Sequence, residues 1–334
     1  IETGHLLRGK AIPLGLSLIS GSAQNRFGLL SIFKSSEVID KIHTLRLNSP
    51  GPFEPIFHNK LESWGLLFSY NYVRAFSTDF LFVRGDPVGR HSIQVMGQLL
   101  PVTAPLLVLG LFYLARQKVW GWLIWLILAP VPAALTVDGA FHATRLFLMI
   151  PPISVAIGAG IYQVVNRKSK FINLVLLLLF TLNFSWFAHY YLVHYPKTYS
   201  RWWQMGYKSA MSSLAQLSPN YTKIFINNTY EPSLIRFLYY AKYSPSDFHR
   251  QFTIDQPRKN IIPGYDGFNL TDKYYFGTFN QGLNLQPDNL YLLSQRDDVG
   301  GDWDWRVDPP SGIKVLFTST DSNNHPIFYL ATAQ

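Results

Sequence analysis

The chain has 334 residues, room for about two domains of ordinary size. Aromatic residues make up 16% and charged residues only 15%, below the ~25% charge of a typical soluble domain, yet the mean hydropathy of +0.07 is too low for a chain wholly embedded in lipid. The net charge of +9 comes from scattered lysines and arginines with no basic run of five, which argues against nucleic acid as a partner, and the lack of cysteine removes disulfides, thiolate catalysis and cysteine-held metal.

The chain opens on Ile1 with no secretory signal, so it is expected to be a piece of a longer protein. Residues 11–20 are apolar but too short to cross a bilayer alone, and Arg8 and Lys10 precede them. Residues 1–22 therefore read as the remnant of a preceding transmembrane segment, or else as a re-entrant or core segment. Residues 23–97 follow as a polar region with two helical stretches. The first, 35–46, has Ser35 or Ser36 as its cap and Val38, Ile39, Ile42 and Leu45 on one stripe. The second, 61–76, is aromatic and amphipathic, suited to lying in a membrane interface or on an ordinary protein surface.

Four apolar windows come next, at 98–115, 119–137, 146–165 and 171–192. A helix needs ~20 residues to span hydrocarbon, so each is long enough and 98–192 is expected to form four transmembrane helices; the first three hold no acidic, basic or histidine residue. Prolines 101, 105, 130, 132, 151 and 152 predict kinks. Arg116 and Lys118 in the first short loop, and Arg167, Lys168 and Lys170 in the third, place those loops in the cytoplasm. Residues 23–97, 138–145 and 193–334 then face the other side.

The tail, 193–334, alternates helical and strand-like runs before strands follow one another. Helices are expected over 202–216 and 231–243, and strands at 223–227, 274–279, 289–294, 313–319 and 326–332. That pattern predicts an extracytoplasmic α/β domain with a mixed sheet. Its core is expected to include Ile224, Ile226, Leu238, Leu290 and Leu292.

Chemistry is sought first where charge meets the outer membrane boundary. In GDPVGRH, 85–91, Asp86 can accept hydrogen bonds in a turn, Arg90 offers a planar fork for phosphate oxygens, and His91 can share an anion or carry a proton. The plain alternative is an interface anchor, with Arg90 reaching lipid head groups. In DGAFHATR, 138–145, a helix would put Asp138, His142 and Arg145 on one face, able to hold a phosphate or a sugar hydroxyl. The alternative there is Asp138 capping the third helix. The acidic run 297–305 lacks EF-hand spacing and reads as a surface turn, although Trp303 and Trp305 could stack on a sugar. No nucleotide-binding or hydrolase signature occurs, and no metal or cofactor is expected.

The segment GDPVGRH, then PLLVLGLFYL and APVPAALTVDGAFHATR, resembles the bacterial dolichyl-phosphate-mannose-protein mannosyltransferase-like glycosyltransferases of the GT-C superfamily, relatives of the lipid A aminoarabinose transferases. RFGLLSIFKSSEVIDKI (26–42), FSTDFLFVRGDP (76–87) and WWQMGYKSA (202–210) resemble the same group, so the likeness covers about 23–245. It implies a partial GT-C-like fold: a multi-pass α-helical membrane protein, here its C-terminal half. The implied activity is transfer of a sugar from a polyprenyl-phosphate donor to a protein, lipid or glycan acceptor outside the cytoplasm, among membrane lipids. The catalytic carboxylate of such enzymes is implied to lie upstream of this chain. Asp86, Arg90, His91, Asp138, His142 and Arg145 are then the candidates for contact with donor phosphate or acceptor. Two rivals stand beside this reading: a membrane-anchored binding module working through 193–334, and a transporter, which the lack of midplane charge disfavours.

Overall fold

A computed structural model describes residues 30–48, 51–252 and 258–334. The expected segment 1–22 lies outside the described residues. The chain forms two compact units, one ending at Tyr191 and one running Leu192–Gln334.

The first unit is helical. Helix α1 spans Ser36–Asn48 and buries Val38 and Ile42 of the expected stripe, while Ile39 is 48% exposed. Helix α2 spans Lys60–Arg74, capped by Asn59, whose side chain accepts from the Glu62 amide. Further along come α3 (Thr103–Arg116), α4 (Trp120–Leu128), α5 (Ile150–Val165) and α6 (Lys170–His189).

All four apolar windows are thus helical, but they are not four equal spans. At 1.5 Å per residue, α3 and α4 reach only about 21 Å and 14 Å, short of a ~30 Å hydrocarbon core. Proline sets both limits. Pro101 lies in a non-helical approach, so α3 starts at Thr103; after α4 the chain turns at Ala129–Pro130 and forms only a short helix, Val131–Ala134. Among the described residues, two stretches are long and apolar enough to cross a membrane by length and composition, Phe147–Val165 and Lys170–Thr198.

Helices α3 and α5 make the closest pairing of the unit. A Cβ added to Gly110 would sit 1.6 Å from the Ala156 carbonyl oxygen, and one added to Gly160 would sit 2.0 Å from that of Leu106. The two backbones touch because neither glycine has a side chain, an arrangement favoured where lipid supplies no hydrophobic drive between helices. Around this contact lie Leu107, Leu114, Leu126, Met149, Ile153 and Ala156, all buried.

The second unit carries one seven-stranded mixed sheet. Its strands are β1 (Lys223–Asn227), β2 (Arg258–Ile262), β3 (Tyr265–Asn269), β4 (Tyr274–Phe279), β5 (Asn289–Ser294), β6 (Ile313–Thr320) and β7 (Pro326–Ala333), in the order β2-β3-β4-β1-β5-β7-β6. The central β4, β1 and β5 are parallel, and each side is completed by antiparallel strands. Central parallel strands are covered on both faces, which explains the unbroken apolar runs IFI in β1 and LYLL in β5. On one face Ile224, Ile226, Leu290, Leu292 and Phe328 meet Tyr207, Met211 and Leu214 of α7 (Tyr207–Leu217) and Phe237 of α8 (Leu234–Tyr240). Leu238 only packs against this core and is not within it. The opposite face is aromatic. Phe225 stacks between Tyr275 and Tyr291, its registered neighbours, at centroid distances of 5.0 and 5.1 Å.

The five expected strands all form. Strands β2 and β3 and helix α9 (Pro245–Gln251) were not foreseen, and the helix expected over 231–243 shrinks to α8, with Ser233 rather than Pro232 at its start.

Candidate functional site

Two loops of the helical unit meet at Asp86. The first, 85–97, leaves the π-helical turn Asp79–Val83 and returns to it: the Gln98 amide donates to the Phe80 carbonyl and the Leu99 amide to that of Leu81. Gly97 permits this closure, since a Cβ there would lie 2.2 Å from the Phe82 nitrogen. Gly85 turns the chain at φ +80°, which favours glycine.

Asp86 is 1% exposed and fully engaged. Its Oδ1 accepts from the Val88 amide at 2.7 Å; its Oδ2 accepts from His91 Nδ1 and from the Ala143 amide, both at 2.8 Å. The last bond joins loop 85–97 to loop 138–149. Beside it the His91 and His142 rings lie 5.2 Å apart between centroids. His142 Nδ1 and Thr144 Oγ1 are hydrogen-bonded at 3.0 Å. Asp86, His91 and His142 each offer a metal-type ligand atom, and the three atoms lie within 4.8 Å of one another. The expectation of no metal overlooked this grouping, because its members come from two loops with no ligand spacing between them.

Asp138, His142 and Arg145 do not share a helix face. Residues 139–141 form a single 3-10 turn, 143–145 a turn, and α5 begins only at Ile150. Two prolines at the start of α5 fix where it can begin. Asp138 makes no side-chain cap either. It pairs instead with Arg145, whose Nη1 also donates to Thr136 Oγ1 at 2.7 Å. Burial opposes ionisation of Asp138, but the hydrogen bond and charge of Arg145 overcome it and hold the carboxyl below its ordinary range. Burial first, then the Arg145 charge, lowers His142, so the imidazole stays neutral at pH 7.

Arg145 is therefore already partnered by a carboxylate, and an incoming phosphate would compete with Asp138 for it. Arg90 is half-buried, one residue before His91 on the same loop. Sequence reasoning missed two supports. Asn71 of α2, 2% exposed, donates to the Thr136 carbonyl at 2.7 Å and so fixes the segment that carries Arg145's hydroxyl partner. Thr144 orients His142. A buried asparagine on an apolar helix face was the one signal available for the first.

The acidic run 297–305 lies largely at the surface, with Asp297, Gly301, Asp302 and Trp303 exposed. Asp298 caps the end of β5: its Oδ2 accepts from the Ser294 amide at 2.7 Å and from Asn227 Nδ2 at 2.8 Å. Burial dominates and pushes its pKa up to about 7, against those two hydrogen bonds. Trp305 is 1% exposed and stacked on Tyr329, so only Trp303 has a face open to solvent.

No protein-family model matches this chain, no curated protein matches it, and no solved structure matches its fold.

Proposed function

We propose that this chain belongs to a membrane glycosyltransferase that transfers a sugar from a polyprenyl-phosphate donor to an extracytoplasmic protein, lipid or glycan acceptor. The observation that carries the reading is the convergence of Asp86, His91 and His142 with the Arg145–Asp138 pair, in loops that connect apolar helices. A lipid-linked phosphate sits at such a boundary, with its tail in hydrocarbon and its charge beside imidazole and guanidinium. Helix α6 supports the membrane setting: it buries no residue, although Phe171, Leu174, Leu177 and Leu182 are each more than half exposed. An apolar surface all round a helix needs lipid or protein cover. Among the candidates Arg145, His91 and His142 meet donor or acceptor, Asp86 holds His91 and the two loops, and Arg90 reaches phosphate from the first loop.

The test is transfer from a polyprenyl-phosphate sugar by the full-length protein in membranes. A charge-assisted hydrogen bond is worth roughly 1.5–3 kcal/mol, so Arg145→Lys, which loses the fork, should weaken donor use about ten- to a hundredfold. Arg90→Lys should act in the same direction and Arg46→Lys should not. Equal activity in all three removes the phosphate role. Orientation has its own check. Cysteine substituted at Ser322 should react with impermeant reagents on intact cells, and cysteine at Ser169 should not; the reverse pattern inverts the topology.

A further inference from the structure

We infer that Asp86, His91 and His142 form a binding site for one divalent transition-metal ion, with zinc as the best-fitting member of the class. The ligand set decides the class. Two imidazoles and one carboxylate suit zinc and its neighbours, whereas calcium and magnesium favour shells made of oxygen. The spacing fits as well. Ligands at ~2.0–2.1 Å from a tetrahedral ion stand about 3.3 Å from one another; here the three ligand atoms all lie within 4.8 Å, with Asp86 Oδ2 and His91 Nδ1 2.8 Å apart. A small opening of that hydrogen bond would admit the ion.

The surroundings are built as a ligand shell is built. Ligating histidines and carboxylates are typically held by outer hydrogen bonds that fix their orientation. Asp86 is held by the Val88 and Ala143 amides, and His142 by Thr144. Asp86 is buried, while His91 and His142 are partly open to solvent, so the ion has an entry path. Three protein ligands leave a tetrahedral ion one open position, the pattern of sites that bind water or a substrate oxygen rather than purely structural ones. On the transferase reading that position would take a phosphate oxygen. The metal site itself does not depend on that reading.

The experiment uses the full chain in detergent, purified through a tag without histidine, stripped with a chelator and titrated with Zn²⁺ against a competing indicator. The expected result is about one ion per chain. Co²⁺ in its place should give the intense visible absorption of a tetrahedral site with nitrogen ligands. His91→Gln and His142→Gln should each weaken binding at least about tenfold, and the double variant should abolish the cobalt band. His249→Gln, an exposed histidine of the tail, should change neither readout. Asp86→Asn is a poor sole test, since it disturbs the loop junction; the histidine variants leave the amide bonds to Asp86 in place. No stoichiometric uptake by the unaltered chain overturns the proposal and leaves the three residues as a clasp between loops. Uptake unchanged in the double variant overturns it too. Sugar transfer is read separately, so metal binding without transfer sinks only the transferase.

Discussion

Gly110→Ala is expected to be the most damaging single-methyl change in the helical unit. The added carbon would lie 1.6 Å from the Ala156 carbonyl oxygen, deep inside contact distance. Both sides of the contact are backbone, so no side chain can rotate away and α3 must move off α5. Overpacking of a well-filled site costs about 1–3 kcal/mol and occasionally more. With the helix seam itself forced open, a loss above about 3 kcal/mol is expected, and with it most of the monodisperse protein. Gly158→Ala is the matched control on α5. Nothing lies within 4 Å of its added carbon, and glycine in a helix interior is less favourable than alanine by up to about 1 kcal/mol. The two alanines should therefore shift the apparent Tm of the purified full chain in opposite directions. A Tm unchanged by Gly110→Ala would show that α3 and α5 do not touch as described.

The second large effect is on the pH dependence of the sheet unit. Asp298 has a folded-state pKa of about 7, against roughly 3.9 for an unfolded aspartate. The folded state therefore holds a proton that the unfolded chain has already released. Stability from this group is fully present below about pH 4, declines as pH rises toward 7, and is flat above. The full span corresponds to roughly 2–4 kcal/mol. Asp321 works in the other direction. Burial acts against its ionisation, but the His325 and Asn323 amides and Arg201 outweigh it and lower the pKa, so its contribution is complete before pH 5. Urea denaturation of residues 192–334 at pH 5 and pH 7.5 should thus show lower stability at the higher pH, and Asp298→Asn should remove most of the difference. The same titration tests whether the unit melts as one. A non-cooperative transition would mean that it does not fold alone. Cooperative melting with equal stability at both pH values would place Asp298 in a wetter setting.

Much of the sheet was legible in the sequence, and the reason is visible in β1 and β5. A strand covered on both faces must be apolar at consecutive positions, and KIFIN and NLYLLS announce themselves. RKNII and YDGFN do not, because β2 is an edge strand that exposes Arg258, Lys259 and Asn260 in a row, and β3 beside it is mostly half-buried, so neither carries an apolar run. The helical unit was legible in type but not in length, since proline marks a break without saying how many residues it removes. At the site the folded chain brings together residues that the sequence had placed in two separate segments, but not in the arrangement that the sequence suggested. Asp138 and Arg145 were expected to look outward together from a helix face; in the folded chain they hold one another. Asp86 was expected to stabilise its own turn, and it does, through Val88. Its bond to Ala143 could not be read locally, because it joins residues that become neighbours only when the helices assemble.

The strand order also dictates a timetable. β1 is the first strand of its sheet to be synthesised, yet its partners are β4 and β5, so its edges stay open until residue 294 has emerged. The outer strands have no such wait: β2 and β3 pair across a short turn, as do β6 and β7. Local pairs close quickly, whereas distant parallel pairing is slow because loop entropy must be lost before any contact forms. Peripheral hairpins should therefore precede the middle of the sheet, and IFI in β1 should remain available to other chains for longest. A nascent chain halted before β5 should be the form most prone to aggregate and to recruit chaperones.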